Sequence, residues 1–170
     1  RERNRDRRGQ WDYEDDSMPD RLRMLKVCPF CRTDSIEMRF NRRYWRLEHR
    51  CTNSDCEWDI AQPLPIWVVD FEVWRYLPTV IVGTLDKAAG IALQANMRGI
   101  IGPPMGYCSE PEHGHTYATR WSRPNGCLVP DCKGSPKGLP MDPSLYGVSF
   151  RLQDELHLLR DSLGAVDAHY

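Results

Sequence analysis

Three features that would assign a function class are missing from this 170-residue sequence. No apolar run reaches the roughly 20 residues of a membrane-spanning helix, and the mostly charged first residues resemble no secretion signal. The G-x-x-x-x-G-K-[S/T] loop that cradles nucleotide phosphates is absent as well, so we do not expect this chain alone to hydrolyse ATP. The missing apolar run and secretion signal favour a cytoplasmic protein with no membrane partner.

The sequence also has little excess charge of either sign, since its formal net charge is -1. The distribution is uneven, however: residues 1–50 carry 14 basic and 10 acidic side chains, and the rest of the chain carries 9 and 14. This asymmetry hints at an anionic partner for the first part of the chain.

Four of the seven cysteines are spaced as a metal site. The Cys-x2-Cys pair Cys28 and Cys31 is followed, after nineteen residues, by the Cys-x4-Cys pair Cys51 and Cys56. Zinc requires four ligands at the corners of a tetrahedron, and a hairpin between the two pairs would bring them together as in a zinc ribbon. Without an export signal, metal is favoured over disulfides. Iron in a rubredoxin-like site would use the same ligands and is the alternative metal.

The other three cysteines predict a second, looser metal site. Cys108 precedes two histidines, His113 and His115, and Cys127 and Cys132 form another Cys-x4-Cys pair. The Cys108-x4-His113 spacing matches that pair, which favours His113 over His115 as the fourth ligand. A metal would explain how this stretch, rich in Gly and Pro, stays ordered with little regular structure. Thiols without metal are the alternative. Neither site has an open ligand position, so both are predicted to be structural.

The apolar pattern predicts a mixed fold of the α+β or α/β class. Alternating residues predict a β-hairpin with strands at 36–40 and 44–50, and a third short strand at 58–60. Two further apolar runs predict strands, and capping residues predict two helices. These elements are the strands 79–82 and 148–153 and the helices 70–76 and 86–97.

Arginines and aromatic residues alternate in the predicted hairpin. Arg42, Arg43 and Arg46 could neutralise phosphates, and Tyr44 could stack on a base. That mixture suits single-stranded nucleic acid. The alternative is a solvated hairpin whose aromatic residues pack on the metal knuckles, because charge runs usually form solvated faces.

Two carboxylates, Asp154 and Glu155, directly follow the predicted strand 148–153. An acidic pair at the C-terminal end of a core strand is where phosphate-handling α/β domains hold Mg²⁺ and activate water. Asp154 would then bind Mg²⁺ through water, and Glu155 would orient the attacking water. His157 completes a D-E-x-H pattern at the start of the following helix. Four such residues also occur on ordinary helix surfaces, which is the alternative.

Two segments resemble motifs of superfamily 2 helicases, in the order those enzymes have them. Residues 78–87 are similar to the strand and loop at motif Ib, and residues 153–157 are similar to motif II. More narrowly, residues 70–170 resemble the helicase-like proteins of bacterial DISARM anti-phage systems. The resemblance implies part of a RecA-like lobe, with Thr84 and Lys87 near a nucleic-acid backbone. It also implies ATP, Mg²⁺ and DNA as ligands of a longer parent protein.

The sequence departs from the helicase pattern in three places. Motif Ib has Leu85-Asp86 where Pro-Gly is usual, Arg151 interrupts an otherwise apolar strand, and no second-lobe arginine-finger motif is present. The chain also starts with Arg1 and ends in a helix barely begun, so we expect a piece of a longer protein.

The predicted organisation follows from these motifs. It comprises a mobile charged segment at 1–20, a zinc ribbon at 21–65, a partial RecA-like lobe at 66–104 and 144–170, and a Cys/His zinc-binding insertion at 105–143. The favoured function is a segment of an ATP-dependent DNA helicase or translocase in anti-phage defence. Its partners would be DNA, the rest of the helicase chain and another defence-system subunit. The alternative is a non-enzymatic zinc-binding module for a nucleic-acid or protein partner.

Overall fold

The computed structural model describes residues 14–84, 104–138 and 150–154. The chain divides into two compact units, Arg1–Val69 and Asp70–Tyr170. The first unit contains α1 (Met18–Arg21), β1 (Ile36–Asn41) and β2 (Arg46–Cys51). The described residues of the second contain α2 (Asp70–Tyr76), β3 (Val80–Thr84), β4 (Gly106–Cys108), β5 (His115–Thr116), β6 (Pro136–Lys137) and β7 (Phe150–Asp154).

The predicted hairpin is confirmed in the first unit. β1 and β2 pair antiparallel, with Ile36 opposite Cys51 and Asn41 opposite Arg46. The second strand begins at Arg46 rather than at Tyr44, because the turn is longer than predicted. The side-chain oxygen of Asn41 accepts hydrogen bonds from the backbone N–H groups of Arg43 and Tyr44, which closes the turn locally.

Two small apolar clusters stabilise the first unit. One contains Met18, Met38 and Leu47, so part of the segment 1–20 that was predicted to be mobile is packed against the hairpin. The other joins Cys28, Cys51, Ile36 and Leu64, and therefore surrounds the first cysteine set. Because both clusters are small, burial alone contributes a modest share of the stability that a unit of this size needs.

Residues 58–60 do not form the predicted third strand. The backbone N–H of Trp58, which a strand would donate to a neighbour, lies 3.4 Å from the Sγ atom of Cys56. The Trp58 indole donates to the carbonyl of Gln62 at 3.1 Å, and the chain turns there. The polar groups of this segment are satisfied locally instead of by a partner strand.

A parallel pair of strands marks the second unit. β3 and β7 pair in parallel, with Val80 opposite Phe150 and Thr84 opposite Asp154. This confirms the predicted strands and shifts their bounds by one or two residues. α2 is also confirmed. The predicted helix 86–97 lies outside the described residues, and in the described part of the chain no helix is long and apolar enough to cross a bilayer.

The Gly- and Pro-rich stretch contains more regular structure than its sequence predicts. β4 pairs antiparallel with both β5 and β6, in the order β5-β4-β6. Gly106 permits this pairing, since a Cβ atom there would lie 2.2 Å from the carbonyl oxygen of Lys137. Trp74 of α2 packs with Tyr117 and Leu128, so the helix and this small sheet share one core.

Candidate metal centres

The first cysteine set converges on one point in the first unit. Cys28 and Cys31 lie on a tight turn, Cys51 ends β2, and Cys56 lies on the following turn. The Sγ atoms of Cys28 and Cys56 are 3.7 Å apart, as are those of Cys31 and Cys51. A tetrahedral zinc ion with Zn–S bonds of about 2.3 Å separates its sulfur ligands by about 3.8 Å. The four thiols therefore fit a tetrahedral ion of that size.

Hydrogen bonds and burial act on these thiols in opposite directions. Hydrogen bonds from Thr33 and Asn53 lower the pKa of Cys31 to about 5. Loss of hydration raises the pKa of Cys56 to about 12, although the backbone N–H of Trp58 points at its sulfur. Several neighbouring thiolates repel one another, and a divalent cation offsets that repulsion. The chemistry of the donor set thus fits a metal site.

The second set converges in the same way around a histidine. The Nδ1 atom of His113 lies 3.2 Å from the Sγ of Cys132, 3.7 Å from that of Cys127 and 3.8 Å from that of Cys108. Zinc with bond lengths of about 2.05 Å to nitrogen and 2.3 Å to sulfur would place these atoms about 3.6 Å apart. The cluster Cys108, His113, Cys127 and Cys132 therefore offers four ligands at tetrahedral spacing.

Backbone N–H groups support the thiolates of this second cluster. The N–H of Val129 lies 3.4 Å from the Sγ of Cys127, and the N–H of Gly134 lies 3.3 Å from that of Cys132. Each donor is two residues after its cysteine, as is Trp58 after Cys56. Burial raises the pKa values of Cys108 and Cys127 above the ordinary thiol value. A cation is again required to hold these buried sulfurs as thiolates.

The structure brings His113 to the cluster and directs His115 elsewhere. The Nδ1 atom of His115 lies 2.8 Å from the carbonyl oxygen of Arg75, and its ring stacks 4.2 Å from that of Tyr107. Burial lowers the pKa of His115, which keeps it neutral at physiological pH. His115 thus contributes to the core beside the cluster.

A buried arginine that the sequence analysis did not single out positions the His113 loop. Arg75 is 1% exposed and donates from Nε to the carbonyl of His113 at 2.9 Å and from a terminal nitrogen to that of Glu112 at 2.8 Å. Gly114, with φ of +77°, passes so close that a Cβ there would lie 2.4 Å from the Arg75 carbonyl oxygen. No local pattern reveals this role, because the partners lie nearly forty residues along the chain.

Replacing Arg75 is expected to destabilise the second unit. Arg75→Met keeps most of the buried volume but removes the donor to the His113 carbonyl and leaves the Glu112 carbonyl with the Tyr76 hydroxyl alone, at a cost of about 2–4 kcal/mol. Urea denaturation should show that loss, and a colorimetric chelator should take one metal ion from the variant faster. Lys137→Met, at an exposed position on β6, is the control and should behave as wild type. Equal stability of the two variants would contradict the positioning role.

The predicted nucleic-acid residues of the hairpin have different surroundings. Arg42 and Arg43 are exposed in the turn, and the Arg43 guanidinium lies 5.4 Å from the centroid of the Tyr44 ring. Arg46, by contrast, forms a 2.8 Å ion pair with Glu48, which is 3% exposed. Burial would raise the Glu48 pKa, but hydrogen bonds from Arg46 and Arg50 lower it overall. Arg46 therefore has a structural partner already.

The predicted motif II residues are described only in part. Asp154 is exposed at the C-terminal end of β7, directly opposite Thr84 at the end of β3. Glu155, His157 and Lys87 lie outside the described residues.

Together these features define a mixed α/β protein with two four-ligand Cys/His clusters that could hold zinc. No family model and no solved structure matches the chain. Its sequence is similar to the DISARM protein DrmA of Bacillus paralicheniformis, with 27% identity over 152 residues. The match covers 84% of this chain and 12% of DrmA. The resemblance to DISARM proteins is thereby confirmed, and the chain spans only a small part of the relative's length.

Proposed function

We propose that this chain is an internal segment of an ATP-dependent DNA helicase or translocase in cytoplasmic bacterial anti-phage defence, with both Cys/His clusters holding structural Zn²⁺. The similarity to DrmA supports the defence role. The D-E-x-H pattern and its resemblance to superfamily 2 helicases support the enzyme class. ATP hydrolysis belongs to the longer parent, which must supply the phosphate loop that this sequence lacks.

The parallel register of β3 and β7 is the observation that carries the enzymatic proposal. Because the carboxyl ends of parallel strands meet at one edge of a sheet, Thr84 and Asp154 lie side by side there. Asp154 is exposed at this edge, and its hard carboxylate oxygens suit Mg²⁺. The bound ion would supply the positive charge that neutralises nucleotide phosphates.

In the proposed mechanism Asp154, the last residue of β7, and the residues that follow it divide the chemistry. Asp154 would hold Mg²⁺ through water, Glu155 would orient the water that attacks the terminal phosphate, and His157 would couple this site to the bound nucleic acid. Thr84, at the end of the neighbouring strand β3, and Lys87, three residues later in the sequence, would contact the nucleic-acid backbone. This assignment follows the helicase resemblance residue by residue.

One face of the parallel pair supports its place in a larger sheet. Val80 and Val82 of β3 lie beside Phe150 and Leu152 of β7, and all four side chains are 52–66% exposed. Ile81, which points the other way, packs on the core formed by α2 and the insertion. Parallel sheets are normally covered on both faces, and a two-stranded sheet is marginal alone. The remainder of a RecA-like lobe would cover this apolar face.

The zinc proposal rests on ligand chemistry. Each cluster offers four ligands, which leaves no position for water or substrate, so both ions are structural. Bound zinc supplies charge compensation for the thiolates and cross-links the turns that carry them. Metal analysis of the purified protein should give two zinc ions per chain. One zinc would support a single site, and iron would replace the proposed metal.

The parent protein provides the decisive test of the enzymatic proposal. It should contain a phosphate loop N-terminal to this segment and should hydrolyse ATP faster when DNA is added. A parent without a phosphate loop and without DNA-stimulated hydrolysis would favour the alternative, a non-enzymatic zinc-binding module.

Removing the two exposed arginines of the hairpin turn should weaken single-stranded DNA binding. Arg42→Gln with Arg43→Gln is expected to flatten the dependence of log K on log salt concentration by about 0.7 for each phosphate that the protein no longer neutralises. Fluorescence anisotropy of a labelled oligonucleotide at several salt concentrations measures this slope. Arg39→Gln is the matched control, because Arg39 already pairs with Glu37 at 2.6 Å. A slope unchanged by the double substitution would remove the turn from the binding surface.

A further inference from the structure

A fully exposed tryptophan lies on the second unit, at the tip of a tight turn. Trp121 has a relative exposure of 100%, whereas other exposed large apolar side chains in the described part of the chain reach 70% or less. Isolated exposed apolar residues are common, but an indole presents a large flat surface. With no packing contribution to the fold, Trp121 is available for a partner.

Two backbone hydrogen bonds close the turn that presents Trp121. The backbone N–H of Arg120 donates to the carbonyl of Arg123 at 3.0 Å, and the N–H of Arg123 donates back to the carbonyl of Arg120 at 2.8 Å. This reciprocal pair closes a two-residue β-turn with Trp121 and Ser122 at its tip. Little conformational entropy would then be lost when a ligand contacts the indole.

The turn is also anchored to the second metal cluster. The N–H of Gly126 donates to the carbonyl of Arg123 at 3.0 Å, and a Cβ atom at Gly126 would lie 2.0 Å from the carbonyl oxygen of Tyr117. The Asn125 side chain donates to the carbonyl of Cys132 at 3.1 Å and accepts from the N–H of Cys127 at 3.1 Å. The cluster thus fixes the base of the turn.

The charge around Trp121 points to an anionic partner. Residues 118–126 contain two arginines, Arg120 and Arg123, and no carboxylate. Burial and the nearby Arg120 charge lower the pKa of Arg123 below its ordinary value. A bound anion would offset the repulsion between these two positive charges. An exposed aromatic residue with an arginine on each side of it in the turn suits an unpaired nucleotide, because arginines can neutralise phosphates and every base has a face on which an aromatic ring can stack.

We propose that the turn 120–123 binds single-stranded nucleic acid, with the Trp121 indole stacked on an unpaired base and its two arginines on the flanking phosphates. This inference rests on the proposed nucleic-acid function but concerns a different unit from the hairpin turn that carries Arg42 and Arg43. It requires neither ATP hydrolysis nor the motif II residues. A protein partner would instead bind the same indole in an apolar pocket. That binding would not depend on the aromatic character of residue 121.

Substitutions at Trp121 test the proposal without a folding penalty, since this side chain contacts no core. The full 170-residue chain, loaded with zinc, is titrated against a fluorescein-labelled single-stranded oligonucleotide. Trp121→Leu, which stays apolar but loses the π-face, should weaken binding about tenfold. Trp121→Phe should stay within about threefold of wild type. Oligonucleotide binding should also quench the tryptophan fluorescence of the wild type. The quenched fraction should be smaller in Trp121→Phe, which lacks the stacked indole.

The outcomes separate this inference from the proposed function. If Trp121→Leu binds as tightly as wild type while Arg42→Gln with Arg43→Gln binds more weakly, the turn plays no part and the proposed function stands. An equal loss of oligonucleotide affinity in Trp121→Leu and Trp121→Phe would contradict stacking of a base on residue 121. A wild-type chain with no affinity for the oligonucleotide would overturn this inference and the binding role of the hairpin turn, whereas the enzymatic proposal is decided by ATP hydrolysis in the parent protein. Arg120→Gln should flatten the dependence of log K on log salt concentration by about 0.7. An unchanged slope would show that Arg120 does not contact a phosphate.

Discussion

Chelation of the metal is expected to unfold the first unit rather than to leave a folded metal-free form. Its second apolar cluster consists largely of the ligands themselves, Cys28 and Cys51, with Ile36 and Leu64. Structural zinc contributes on the order of 10–16 kcal/mol in small zinc-dependent domains, which exceeds the stability left to a unit with so small a core. During titration with a strong chelator, the far-ultraviolet circular dichroism of the β1–β2 hairpin should disappear as zinc is released.

A ligand substitution gives the same test without a chelator. Cys51→Ser removes a buried proposed ligand at the end of β2. The variant should lose the circular dichroism signal of the β-hairpin and should bind one zinc ion fewer per chain. Ser54→Ala, at an exposed position on the same knuckle, is the control and should retain both. A Cys51→Ser protein that keeps its hairpin while lacking the ion would show that the apolar clusters suffice. That result would contradict the structural role of the metal.

Glu155→Gln is expected to abolish DNA-stimulated ATP hydrolysis by the parent protein. The amide keeps the shape of the carboxylate but cannot take a proton from the attacking water, so kcat should fall by about 10²- to 10⁴-fold. Binding of ATP should change little, because the proposed Mg²⁺ ligand is Asp154. Steady-state hydrolysis and equilibrium binding of a fluorescent ATP analogue measure the two effects.

Two comparisons make the Glu155 result specific. Glu110→Gln alters an exposed carboxylate on the insertion and should leave hydrolysis unchanged. Asp154→Asn should instead weaken Mg²⁺-dependent nucleotide binding. Full activity in Glu155→Gln would remove this segment from the catalytic site, and the D-E-x-H pattern would then be an ordinary helix surface.

The two cysteine sets and the individual strands β3 and β7 could be predicted because their signals are local, whereas the parallel pairing of those strands joins distant residues. Cysteine pairs with two or four residues between them present their sulfurs from a single turn, and a β-branched run between Pro78 and Gly83 needs no distant information. The ion pair of Arg46 and Glu48 had such a signal too. Residues two apart on a strand share a face, so the alternation that predicted the strand also placed these two charges together.

Other features depend on contacts between distant residues, which spacing does not encode. Arg75 resembles any basic residue near a helix end, and its buried role depends on carbonyls 37 and 38 residues later. The two-residue strands β5 and β6 are too short for alternation to reveal. Each pairs with β4, so these strands form only where tertiary structure brings separate loops together.

If the second cluster holds zinc as proposed, the Arg75 hydrogen bonds link its zinc affinity thermodynamically to the stability of α2. Any factor that stabilises α2 in place would also hold the His113 loop in its ligating position, and a bound ion would stabilise α2 by the same free energy. Since α2 and β3 pack on one core through Trp74 and Ile81, this reciprocity extends to the strand edge at Thr84 and Asp154. A ligand that orders that edge would raise the zinc affinity of the second cluster, and zinc depletion would weaken that ligand's binding by an equal factor.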